Sequence, residues 1–486
     1  MIAGLKLETR SKGISVKFWA RISRYLLWLT LFILPWQMRK VIVPVFHQGA
    51  FVEYAAISLY ATDLLIMALL IIWLPGVLAK KRFCWGPRAI SWPLVALVVW
   101  MWLSLIWVHQ LGLSLLVGSW TAGHFTLFVL FYLYLINNVR TIRDILWPLG
   151  WGVACQGLIA LGQYFSNHSL GLKWLDESVL DPNQSGIPVV IVDGVRRLRG
   201  HGLLPHANLL GGFLATSLAL LVPWLYAVKR QWPHYLMWLL FTIGVLGLVV
   251  SLSRSAWAVF LLSMGGLALW ALWARPKKLR AAILPGLIVT AVTLALVISQ
   301  YSVIVPRFDL SEPVEQISLS DRLRQWGEFK EVYRKHPVVG VGIGQYVPYL
   351  KYLDQSTLGW SYREDVDGWV YNPGRDGRYY EPVHNIYLLA IAELGIVGGA
   401  LLALILIGAL VVVGGLVRKR RALVGVAALL SWLSLLVLGL IDHYPWTLQQ
   451  GRLLVFLVLG MMAVLSVHSG YNKKRGGRKK RQFALS

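Results

Sequence analysis

Residues 381–399 read EPVHNIYLLAIAELGIVGG. A Pro-Val-His-Asn turn runs straight into an apolar stretch that takes one carboxylate, Glu393, into its own hydrophobic length. From Asn385 to about residue 417 the run is more than long enough to cross the roughly 30 Å of a bilayer's hydrocarbon, for which about 20 apolar residues suffice. Read as a membrane helix, it sets a titratable imidazole, His384, at its mouth.

The rest of the chain agrees. Of 486 residues 57% are hydrophobic and 14% charged, with a mean hydropathy of +0.61, which excludes an ordinary soluble domain. The 24 Trp and 20 Tyr suit two water–bilayer interfaces, although core packing accounts for some of them equally well. Cys84 and Cys155 support neither a disulfide framework nor a thiolate metal site. The expected fold is an all-α polytopic membrane protein with about 12 spans, the first near 24–44. Nine spans with a loop at about 166–205 fall in residues 1–301, a large partly helical loop occupies 302–384, three spans fill 385–470, and 471–486 form a basic tail.

Charge gives the sidedness. The net charge of +25 would point to nucleic acid in a soluble protein, but its distribution follows the spans. KKRFCWGPR (80–88), NNVRTIR (137–143), VKRQ (228–231), RPKKLR (275–280) and VRKRR (417–421) share one side with both termini, the side that stays cytoplasmic. The tail NKKRGGRKKR (472–481) is then a topology and anionic-lipid signal, and no nucleic-acid partner is expected. Six cations from Lys6 to Arg24 precede YLLWLTLFILPW without a small-x-small cleavage site, as in an uncleaved signal anchor.

Function is expected in the two long segments of the opposite side, since most connections run about 4–6 residues. In the second, SLSDRLRQWGEFKEVYRKHP (318–337) reads as a helix capped by Ser318 with Asp321 and ended by Pro337. Its apolar face would be Leu323, Trp326, Phe329 and Tyr333. VVGVGIGQY follows, with Gly340, Gly342 and Gly344 alternating in the manner of tight backbone turns and not of a dinucleotide fingerprint.

Several residues on that side, and one deeper in a span, can carry chemistry. Arg254, in SLSRSAW, lies at a short turn between two spans, where a guanidinium binds an anion or anchors the interface. Arg322 and Arg324 sit on the loop helix, and Arg196, Arg197 and Arg199 precede His206 at the opening of another span. Fork-shaped donors of this kind suit a phosphate or diphosphate. His384 can accept a proton from an attacking hydroxyl, or simply cap its helix with Asn385. Glu393, nine residues on and about 13 Å deeper, falls near the opposite helix face and is expected to pair inside the bundle. Metal ligation looks poor: H-E-x-x-H and C-x-x-C are missing from the sequence, and in DVDGWVYNPGRD Gly368 comes too early for an EF-hand loop. With no Walker loop either, the energy for a reaction would reside in an activated substrate.

RLRGHGLLPHANLLGG, SLSRSAW, DRLRQW leading to HPVVGVGIGQY, and HNIYLLAIAELGIVGG, in that order, resemble the O-antigen ligase and polymerase superfamily. The resemblance implies a GT-C-like glycosyltransferase of the bacterial inner membrane that needs no metal, ATP or other cofactor. It would take a glycan from a polyprenyl (undecaprenyl) diphosphate carrier to an acceptor hydroxyl at the periplasmic face, with inversion. Arg254 and Arg322 match the family's diphosphate-binding arginines and His384 its acceptor-activating histidine. Arg199 joins them as a diphosphate-binding candidate, with Arg197, His206 and Asn385 as further candidate substrate contacts. The acceptor, whether lipid A core in lipopolysaccharide assembly, a growing glycan or a protein, stays open, as does the polar stretch 363–382. Two other readings remain at this point: a transporter of lipid-linked glycan or small anions, for which Asp63 and Glu393 are the support, and an assembly partner in wall synthesis.

Overall fold

The computed structural model describes the chain apart from residues 1–17, 48–49, 52, 55, 81–82, 109–111, 185, 228–231, 275–278, 310–312, 357–358, 364–367, 373–380, 419–421 and 475–486. Most of the cations before the first span, the end of the basic tail and much of the 363–382 stretch therefore lie outside the described residues.

The protein is a multi-pass helical bundle. Its first helix, α1, covers residues 18–32 and gives way to extended chain. This departs from the expected span at 24–44. Pro35 follows the helix, and the strand-forming segment β1 (Arg39–Val43) pairs antiparallel with β4 (Ile57–Tyr60), with β2 (Phe46–His47) and β3 (Ala50–Phe51) between them. The succeeding helices are α2 (Ala61–Lys80), α3 (Arg88–Leu103), α4 (Leu113–Asn138) and α5 (Arg143–Ser166). A hairpin of β5 (Val189–Val192) and β6 (Val195–Leu198) interrupts them before α6 (Ala207–Ala227), α7 (Trp232–Val250), α8 (Arg254–Ala274) and α9 (Leu279–Ser299). Then come α10 (Tyr301–Ile304), α11 (Pro313–Lys335), α12 (Tyr346–Ser356) and a hairpin of β7 (Gly359–Arg363) and β8 (Gly368–Asn372). The chain closes with α13 (Ile386–Arg418), α14 (Ala422–Ile441), α15 (Tyr444–Thr447) and α16 (Gln449–Lys474). Among the described residues eleven helices are long and apolar enough to span a membrane, and α1 packs beside them.

Contacts between loops show that the passes alternate. At one end Arg24 pairs with Asp144 at 2.7 Å, and Asn137 accepts from the Cys84 backbone N–H at 2.9 Å. This is the end of the basic connections at 80–88 and 137–143. At the other end Arg199 reaches Ser251, Arg307 reaches Leu252, and the rings of Tyr54 and His443 meet. The two long segments thus share one end, as the charge pattern predicts.

Lipid supplies no hydrophobic drive between helices, so close packing relies on small residues. The most enclosed helix is α6: a Cβ on its Gly211 would lie 2.8 Å from that of Ala256 in α8. α5 and α7 cross where Gly157 faces Gly247.

α13 is broken. Gly395 adopts φ 67°, ψ −172°, and a Cβ there would collide with the Val338 carbonyl oxygen. A break frees backbone groups that lipid cannot satisfy. Here the VVGVGIGQY loop supplies the partners: Val341 and Gly342 N–H donate to the carbonyls of Ala392 and Glu393 at 3.0 and 2.8 Å, and the Pro337 carbonyl accepts from Ile396. The Trp100 indole donates to the Leu394 carbonyl at 2.9 Å. Gly340, Gly342 and Gly344 all have positive φ, so the expected tight turns are present, and they serve to fit this loop against the broken helix.

α11 begins at Pro313, five residues before the expected cap, leaving Ser318 inside the helix. Proline is favoured at a first helical position, where its missing N–H is no loss. The expected apolar face is also turned: Leu323 and Trp326 are 68% and 49% exposed, whereas Gln325, Glu328 and Val332 point inward. The polar residues are drawn in because that side of α11 covers His384.

Candidate active site

Asn385 starts α13. Its side-chain oxygen accepts from the N–H groups of Tyr387 and Leu388, both at 3.0 Å, and its amide donates to the Leu440 carbonyl at 3.1 Å. This cap ties the mouth of α13 to the end of α14 and so sets His384 beside Asp442 and His443. The rings of His384 and His443 meet edge to face with centroids 4.9 Å apart.

The hydrogen bonds fix the tautomers. Gln325, only 1% exposed, turns its Oε1 to both the backbone N–H of His384 at 3.1 Å and its Nδ1 at 2.8 Å. A backbone N–H can only donate, so this oxygen is an acceptor, Nδ1 carries the proton and Nε2 keeps its lone pair. His443 is held likewise. The Thr447 hydroxyl donates to the His443 carbonyl and hence accepts from Nδ1 at 2.7 Å. His206 is the opposite tautomer, since its Nδ1 accepts from the Asn208 N–H at 3.1 Å.

Around these rings runs a charged chain. Asp442 accepts from the His443 N–H at 2.8 Å and faces the Asn208 amide at 3.5 Å. Asn208 accepts from Arg199 at 2.6 Å, and Arg199, buried, also donates to the Ser251 carbonyl at 3.0 Å. Burial would raise the Asp442 carboxyl, but the imidazoles of His384, His443 and His206 outweigh it and hold it below the usual range, so it is an anion. Burial, aided by Arg199, pushes His206 down to about 4, and burial beside His384 pushes His443 down to about 3. Glu381 moves the other way, raised chiefly by burial.

Arg254 joins through a neighbour. Its Nη1 donates to the Arg307 carbonyl at 2.7 Å, and Arg307 donates to the Leu252 carbonyl at 3.1 Å. Arg307, Arg199, Asp442 and His384 all lie close enough to His206 to act on its charge. Arg322 stands one turn before Gln325 on the same side of α11. Arg324 is engaged by Asp321 and Glu328 at 2.9 and 3.4 Å. Two expected binding residues are placed apart or otherwise occupied: Arg197 is exposed on β6, and Asn385 makes the cap described above. The first turns of α6, α8 and α13 open onto the same end, adding the partial positive charge of helix N-termini.

Residues 236–403 match the O-antigen ligase family. The matched segment runs from α7 into α13 and holds Arg254, Arg322 and His384, bearing out the resemblance drawn from the motifs. No curated protein matches the chain. Arg199, Asn208, Asp442 and His443 lie outside the O-antigen ligase match and reach the site only through folding. Sequence reasoning missed Asn208, Arg307, Gln325, Asp442 and His443. A signal existed for the last two, because Asp-His stands at the start of a short link between two apolar runs.

Proposed function

We propose that this protein is a membrane glycosyltransferase that moves a glycan from a polyprenyl diphosphate carrier to an acceptor hydroxyl. The observation that carries the reading is His384, whose Nδ1 is held by Gln325 so that Nε2 keeps its lone pair, with a ring nitrogen within 4.8 Å of an Asp442 carboxylate oxygen at the end of the bundle where the arginines gather. In the reaction the acceptor oxygen attacks the anomeric carbon while His384 takes its proton. The bond from that carbon to the diphosphate oxygen breaks, its electron pair leaving with the polyprenyl diphosphate. Arg254 and Arg322 neutralise that charge, an electrostatic role that can supply about 3–4 kcal/mol per donor. Asp442 stabilises the imidazolium. The single displacement inverts the anomeric centre.

A second feature supports a lipid-borne donor. An entirely apolar crevice, lined by Leu97, Phe125, Ile386, Ile405, Trp446 and Leu459 among others, lies among α3, α4, α13, α14, α15 and α16. Its upper wall is Ile386 and Trp446, neighbours in sequence of His384 and His443. Such a lining matches isoprenoid chemistry and offers a sugar no hydrogen-bond partner.

The basic connections at the opposite end favour a cytoplasmic position for that end and both termini, and hence a site on the periplasmic side of the bacterial inner membrane. The family match favours an O-antigen-ligase-type reaction, with polymerisation of repeat units and transfer to protein as the variants that share the donor chemistry; the acceptor stays open among them.

Transport predicts interrupted helices, and α13 is interrupted. Its freed carbonyls, however, are taken by Val341, Gly342 and Trp100, so this break offers no ion the vacant backbone that transport sites use.

The test uses purified protein in detergent with a lipid-diphosphate-linked glycan and a glycan acceptor. Release of lipid diphosphate with an inverted product linkage is expected, reduced about 10²-fold or more in Arg254→Ala. Translocation of the lipid-linked glycan in vesicles without any transfer would refute the enzyme reading.

A further inference from the structure

The same end of the bundle holds a donor set that the transfer reaction does not need in full. One nitrogen each of His384 and His443 and one carboxylate oxygen of Asp442 all lie within 4.8 Å of one another. Ligand atoms around a tetrahedral zinc ion stand about 3.3 Å apart, given bonds of about 2.0–2.1 Å. Rotation of the two rings about their side-chain bonds is the movement that would close that difference.

Three features distinguish this group from a chance gathering of polar residues. Each imidazole already keeps one lone pair free, because Gln325 and Thr447 take the Nδ1 protons. Those two acceptors, with the His443 N–H on Asp442, are outer partners of the kind that orient metal ligands. Two of the three ligands are adjacent in sequence on the short link between α14 and α15, and the third is pinned to α14 by the Asn385 cap, so the frame is stiff. Two imidazoles and one carboxylate select a zinc, copper, nickel or cobalt ion over magnesium or calcium.

We propose that His384, Asp442 and His443 form a site for one divalent transition-metal ion of the zinc class, its fourth position open to water or a substrate oxygen, and that the ion acts as a brake. A metal bonded to Nε2 of His384 takes the lone pair that would accept the acceptor's proton. The brake rests on the proposed transfer reaction, whereas the binding site does not.

Two arms test it. The full chain, purified without a polyhistidine tag and stripped by chelator, is titrated with Co²⁺, followed by its visible absorption, and then with Zn²⁺ by calorimetry. One ion per chain is expected, with affinity falling about 10–100-fold in His443→Ala and in Gln325→Leu, each checked for an unchanged thermal midpoint. Asp442→Asn, which keeps size and much of the hydrogen bonding, should fall likewise. No stoichiometric binding, or equal affinity in the wild type and all three variants, overturns the site. In the second arm, Zn²⁺ lowers transfer about 10-fold or more and chelator restores it; a metal-loaded protein more active than the stripped one overturns the brake. If neither form transfers glycan, the proposed function fails while the first arm still decides the site.

Discussion

Two polar clusters lie one above the other in this bundle, and they are finished differently. The deeper one begins about 10 Å below the mouth of α13 by helical rise. There Glu393 accepts from the Trp446 indole at 2.9 Å, and Arg452 donates to the Trp446 carbonyl while lying 5.0 Å over the Phe125 ring. Beside them Asp63 accepts from the Tyr60 N–H at 3.0 Å and from Gln449, and meets His124 at 3.0 Å. Its groups face each other. The upper cluster leaves atoms over: Gln325 Nε2 and both ring nitrogens of His201 are buried without a hydrogen-bond partner among the described residues. Closed networks hold structure, and each buried polar atom left unpaired needs a reason that a closed network does not. The two meet at Trp446, which the deep cluster grips and which follows Asp442 and His443 by a few residues.

That contrast can be broken at several points. Gly395→Ala has the largest expected effect, because positive φ and a Cβ pressed into the Val338 oxygen leave the α13 break no relaxed form. Little folded protein should survive detergent extraction and size-exclusion chromatography; a normal monodisperse yield would contradict the break. Next comes Asp442→Asn, expected to lower transfer about 10²-fold by weakening support for the imidazolium, with the thermal midpoint little changed. A kcat equal to wild type would remove Asp442 from the mechanism. Smallest is Trp446→Phe, which leaves the buried Glu393 oxygen without its donor and should cost about 1–3 kcal/mol. A thermal melt reads it, and an unaltered midpoint would mean that the deep cluster is not a closed support.

Much of this was legible in the chain. Spans and sidedness follow from run length and alternating cations, because lipid imposes both on every segment locally. The positions of His384 and Arg254 at span ends were legible too. The α13 break was not: Gly395 sits in AELGIVGG among glycines that resemble it, and only the approach of the 337–342 loop singles it out. Nor was the inward face of α11, where a partner for His384 outweighs apolar periodicity and leaves Leu323 exposed. Asp442 lies 58 positions from His384, so their meeting is a property of how α13 and α14 pack, which local pattern does not record.

The central claim is that the upper cluster performs chemistry on a lipid-held glycan with His384 as its base. Lipid diphosphate release by His384→Ala, measured beside wild type at equal amounts of folded protein, tests it most directly. The account predicts a rate about 10²–10⁴-fold lower with an unchanged thermal midpoint. Full turnover by the variant would contradict it.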